Sequence, residues 1–132
     1  MTENAQKLSI VLASEELEKV HAASLIASVA AMSGMEVHLF VTMNGLVPFL
    51  KSTQAEGRFR TGVVGEALRA KAQPFTELIA NGKELGTLKV YACALAMDAM
   101  NWSKADLIDV FDDVIGVSAF FNIAAGGAIV TM

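Results

Sequence analysis

Short runs of consecutive apolar residues alternate along this chain with longer stretches in which apolar positions recur every three or four residues. Leu8-Ser9-Ile10-Val11-Leu12-Ala13 is the first run, short and β-branched, and it predicts a strand. Ser14-Glu15-Glu16 follows with the acids that favour a helix start, and Leu17, Val20, Ser24, Leu25, Ser28, Ala31 and Met32 then form a helical stripe. Gly34 ends that helix as a C-cap residue. Glu36 to Met43 is a near-continuous apolar run, as expected for a strand covered on both faces, and Asn44-Gly45 marks the turn after it. Strand, helix and strand make a βαβ unit, for which a right-handed crossover and parallel pairing are the rule.

Gly45 to Phe75 is the least regular third, broken by Pro48, Gly57, Gly62, Gly65 and Pro74. Phe75 to Ala80 predicts a helix closed by Asn81-Gly82, and Gly86 leads into a strand that ends at Cys93. A short helix over Ala105–Phe111, a fourth strand over Val114–Val117, a helix over Ser118–Ala125 and a closing strand over Ala128–Thr131 complete the alternation. The expectation is one α/β domain over residues 1–132, a three-layer αβα sandwich with a mostly parallel central sheet of about five strands. Val114 to Met132 is uncharged over 19 positions, the length of a membrane span. Gly116, Asn122, Gly126 and Gly127 interrupt it and no basic cluster flanks it, so two short elements about a Gly-Gly turn are expected and no membrane partner.

Composition changes this picture in three ways. Hydrophobic residues make up 54% of the chain, more than a small monomer needs, which points to surface buried between subunits and hence a homo-oligomer. A net charge of −4 argues against nucleic acid as a partner, because phosphate neutralisation needs surplus Lys and Arg. Met1 to Lys7 carries no secretory pattern and a lone cysteine forms no intrachain disulfide, so a cytoplasmic setting is expected. His21 and His38 have no partner at metal-ligand spacing, and Gly62-Val63-Val64-Gly65 lacks the rest of a phosphate-binding fingerprint. Neither a metal nor another cofactor is expected.

The candidate chemistry centres on Cys93, at the point where Leu88-Lys89-Val90-Tyr91-Ala92 gives way to the helix-like Ala94-Leu95-Ala96-Met97-Asp98-Ala99-Met100. In open α/β sheets the working crevice lies beyond the carboxyl ends of the strands, and a helix starting there favours the anionic form of a thiol. Gly86 to Met100 resembles a subgroup of the DsrE/DsrF-like family of small sulfur-handling proteins, in which a strand ending in Ala-Cys leads into a Met- and Asp-rich helix start; Ala92, Cys93, Met97, Asp98 and Met100 stand at those places. The opening βαβ unit, the apolar final third and the chain length agree with it. The resemblance implies a cytoplasmic sulfurtransferase or sulfur carrier whose cysteine holds a persulfide or thiosulfonate. It implies a trimer or hexamer, with TusA-type carriers, rhodanese-like proteins or heterodisulfide-reductase-like complexes as partners. Asn101-Trp102 stands where the family often has Gly and some members a second cysteine. No resolving thiol is present in the chain, so release of sulfur falls to a partner's thiol.

Each candidate has a functional and a packing role open to it. Cys93 is either the sulfur-bearing nucleophile, with backbone N–H groups after it stabilising the thiolate, or a small buried hydrophobe. Met97 and Met100 line a soft pocket or fill the core, and Asp98 is an acid–base group, selects cationic partners or answers the dipole of a first helical turn. Trp102 shapes the cleft or packs, as does Tyr91; Arg58, Arg60, Arg69 and Lys71 bind an anionic substrate or carrier, or form a solvated basic face. A carrier requires a solvent-reachable thiol. A small-molecule-binding or scaffold module on the same fold instead has an enclosed, inert Cys93 and an occupied pocket elsewhere. A thiol redox sensor is the third class.

Overall fold

The strand runs are rich in β-branched and apolar residues, and in the interior strands these bury both faces of a parallel sheet. In a computed structural model that describes residues 6–132, they become β1 (Lys7–Leu12), β2 (Glu36–Val41), β3 (Thr87–Cys93), β4 (Asp113–Ile115) and β5 (Ala128–Thr131). Of the Met1–Lys7 stretch read above for a secretory pattern, residues 1–5 lie outside the described residues. All pairings are parallel and the order is β4-β3-β2-β1-β5. The connection from β4 to β5 therefore crosses back over the sheet to the far side of β1. Leu39 lies beside Ile10 and Val90, and Phe40 beside Val11 and Tyr91, so successive residues of β2 serve opposite faces.

One face is covered by α1 (Leu17–Met32) and α4 (Phe75–Leu85), the other by α6 (Val117–Ala124), whose Phe120 stacks on Phe40 at 4.7 Å between ring centroids. The sandwich is thus three-layered, as the sequence predicts. The helix after Phe75 does not stop at Asn81-Gly82. It runs on to Leu85, because Gly82 serves close packing: a Cβ there would lie 3.0 Å from Ser28 Cα and 2.9 Å from Leu88 Cδ2. The irregular third holds a 3-10 segment (Met43–Phe49), α2 (Lys51–Glu56) and α3 (Val63–Lys71), all missed by periodicity because each is short and either contains or adjoins Pro or Gly. Ala105–Phe111 is not a helix; a single 3-10 turn, Lys104–Asp106, is closed by a capping box between Ser103 and Asp106. The uncharged tail forms α6 and β5 about Gly126-Gly127, and no described helix is long and apolar enough to cross a membrane.

Two carboxylates pin the loops to this frame. Glu18 Oε2 accepts the N–H groups of Gly62 and Gly65, 2.7 Å each, at the start of α3. A Cβ at Gly65 would meet that carboxylate at 2.8 Å. The Gly-x-x-Gly spacing thus cradles an anion, and the anion is the protein's own. Asp112 Oδ2 accepts the N–H of Val90 and pairs with Lys83, fixing the approach to β4.

Candidate functional site

The carboxyl ends of β1, β2 and β3 share one edge of the sheet. Beyond β3, Cys93 is the N-cap residue of α5 (Ala94–Met100), extended at φ −71° and ψ 119°. Its thiol makes no capping bond to the N–H groups of α5, a helix of seven residues. Cys93 is 1% exposed and belongs to the contiguous apolar core. A solvent-reachable thiol is therefore not what the single chain presents. Ala92 and Cys93 continue the buried pattern of an interior strand, so a small apolar side chain at this place is covered from both sides.

The neighbouring candidates divide by their helical phase. Met97, 3% exposed, fills the core, whereas Met100 is 56% exposed. Three residues apart on so short a helix, they do not line one pocket wall. Asp98 is exposed and falls in the last turn of α5, next to the left-handed cap Asn101, not in the first turn, because Cys93 itself is the N-cap. Trp102 is half-buried over a shallow depression it shares with Leu50, Lys51 and Ser52.

Beyond β1 and β2 lies an open crevice lined by Ser14, Glu15, Met43, Asn44 and Arg60. Arg60 reaches it because the backbone N–H of Leu17 bonds the Arg60 carbonyl at 2.8 Å, which ties Arg60 to the start of α1. Its guanidinium stands 3.9 Å from Glu15, to which Asn44 also donates at 2.8 Å. Met43 holds a left-handed conformation, φ 51°, at the rim. Arg58 is exposed on the same segment, while Arg69 turns away to lie over the ring of Phe59. The four basic residues are thus not one patch. Glu15, Met43 and Asn44 entered the sequence reading only as a helix-start acid, a strand end and a turn residue; the parallel register of β1 and β2 is what brings them together.

A third polar feature lies within the sheet. Glu36 Oε2 is 2.6 Å from His38 Nε2, and His38 Nδ1 is 2.9 Å from the Tyr91 hydroxyl. Burial, reinforced by the charges of Asp112, Glu36 and Asp113, raises the Tyr91 phenol above its ordinary range, so it keeps its proton. Nε2–H donates to the Glu36 carboxylate, and Nδ1 pairs with the Tyr91 hydroxyl, as acceptor in the neutral ring and as donor in the imidazolium. Among the described residues no group of three or more potential ligands is placed to hold a metal ion.

The DsrE/DsrF/DrsH-like family model matches residues 4–68 and 52–131, two overlapping stretches that together span nearly the whole chain. The chain belongs to this family. Among solved structures, it is similar to protein MTH1491 of unknown function from Methanobacterium thermoautotrophicum, at 13% identity and a TM-score of 0.65, over 96% of this chain and 99% of that one. The ychN protein from E. coli is similar in the same measure, with 14% identity, a TM-score of 0.65 and the same coverage. At such identities the likeness is one of fold. No curated protein matches significantly. Within this DsrE-like fold, Cys93 is the chain's only cysteine, placed at the carboxyl end of an interior strand.

Proposed function

We propose that this DsrE-like protein is a cytoplasmic sulfur carrier in which Cys93 takes up sulfane sulfur and passes it to a partner's thiol. Supporting this is one observation: in a chain of this family, the only cysteine stands at the junction between an interior strand and the helix that follows it, at the carboxyl end of the sheet where α/β folds place their chemistry. In uptake, the Cys93 thiolate attacks a sulfane sulfur of polysulfide, an S–S bond breaks, and the shortened polysulfide leaves with the electron pair. In release, a partner's thiolate attacks the outer sulfur and Cys93 leaves as the thiolate. Since the thiol of the single chain is enclosed, loading requires that Cys93 become exposed to the donor. TusA-type, rhodanese-like or heterodisulfide-reductase-like proteins are suitable acceptors.

The test is the intact mass of the reduced chain after exposure to polysulfide, thiosulfate or tetrathionate, beside Cys93→Ser. A gain of about 32 Da or a thiosulfonate-sized adduct, lost with reductant and absent from the variant, is expected. A folded wild type that stays unmodified with every donor overturns the proposal. The burial of Cys93 favours a second reading, a ligand-binding module whose pocket lies elsewhere.

A further inference from the structure

A half-enclosed cleft of about 180 Å³ lies on the helical face, away from Cys93, between the start of α1, the loop before α3, and the start of α4. Leu17 and His21 stand one turn apart on α1, Leu68 and Arg69 come from α3, Phe75 opens α4, and Phe59 closes the loop side. Phe59 meets Phe75 edge to face, with centroids 6.2 Å apart at 88°. A space of this size suits a single six-membered ring, since a dry cavity of roughly 150 Å³ holds benzene. The polar groups are few and convergent, the usual arrangement of a small-molecule site.

Arg69 is the only charged residue in that lining. Its guanidinium lies 5.4 Å from the centre of the Phe59 ring and donates to the Gly57 carbonyl at 2.9 Å, which holds it at the rim with further N–H groups to spare. Glu66, 3.6 Å from the guanidinium, is outside the lining. Burial alone lowers the His21 imidazole below its ordinary range, with no hydrogen bond contributing, which leaves a neutral ring free to bond a guest. We infer that this cleft binds a small aromatic carboxylate, its ring against Phe59, Leu68 and Phe75 and its carboxylate on Arg69 with His21 beside it. It stands independently of sulfur chemistry at Cys93.

The probe is sodium benzoate, titrated into the isotopically labelled full chain while backbone amide shifts are followed, with benzyl alcohol as the uncharged analogue. Saturable shifts confined to residues around the cleft are expected, with a dissociation constant of about 0.1 to 1 mM, ordinary for so small a ligand. Arg69→Gln and Phe59→Leu should each weaken benzoate at least about tenfold while keeping the amide spectrum of a folded chain, and Cys93→Ser should leave binding unchanged. Benzyl alcohol should bind at least about tenfold more weakly than benzoate. Absence of saturable shifts, equal binding of the two probes, or indifference to both cleft substitutions overturns the inference.

Discussion

Tyr91 and His38 illustrate how single residues in this sheet carry more than packing. His38 faces Tyr91 across neighbouring strands and reaches Glu36 along its own, so one imidazole serves both of its nitrogens. Tyr91→Phe leaves Nδ1 of a buried ring unpaired, and should lower unfolding stability by about 1 to 2 kcal/mol in urea titrations. The His38 hydrogen bond, opposed by burial and helped by the charges of His38 and Lys7, holds the Glu36 carboxyl below its ordinary value of 4.5. A carboxyl lowered by folding stabilises the native state above its unfolded pKa, and that contribution disappears as pH falls through the folded one. His38→Gln should therefore separate from wild type at pH 5 to 7, with the gap narrowing below about pH 4.5, read from urea midpoints across pH. At this scale the sequence marked Cys93 by its uniqueness and its junction. It could not show that the thiol is enclosed, because burial is set by what packs across the sheet.

Among the elements, α3 owes its start to a side chain from another helix. The N–H of Gly65 first and Glu18's own backbone N–H next, opposed by burial and helped least by Gly62, hold the Glu18 carboxyl below the ordinary carboxylate range. Gly65→Ala would press a methyl group onto that carboxylate, and Glu18→Gln would remove its charge from the helix start. Each should lower the melting temperature by roughly 3 to 6 °C, and the double variant should lose less than the sum, because both act on one contact. Differential scanning calorimetry of the three variants checks this. The sequence identified β1, β2, α1 and β5 closely, since long or strongly apolar runs leave little choice of element. It misjudged α4 at Gly82, where glycine's small size, not its freedom to end a helix, is what the fold uses.

For the molecule as a whole, the outer face of α1 is the open question. Leu25, Ile26, Val29 and Met32 are all exposed there, opposite the buried stripe of Leu17, Val20, Ser24, Ser28 and Ala31. Phe121 and Val117 on α6, and Ile129 and Val130 on the edge strand β5, add further exposed apolar surface. We propose that these faces are covered in a homo-oligomer, a trimer or a multiple of it, consistent with a composition more apolar than a single small core requires. Light scattering after size exclusion should give a mass above the monomer, and Val29→Lys should shift it toward the monomer; a monomeric wild type would refute the assembly.

By itself the sequence determined the class of fold, the parallel βαβ start, the tail as α6 and β5 instead of a membrane span, and the candidate thiol. Those follow from local apolar pattern, chain alternation and residue identity, which need no knowledge of distant contacts. Only the tertiary structure decided that Cys93 is enclosed, that Asp98 falls in the last turn of its helix, and that Arg60 and Arg69 serve different places. It alone placed Glu18 on α3 and assembled the cleft about Phe59 and His21. Each of these depends on groups far apart in the chain meeting across packed elements, and the physical cause is the register and layering of the sheet, not the pattern of any one segment.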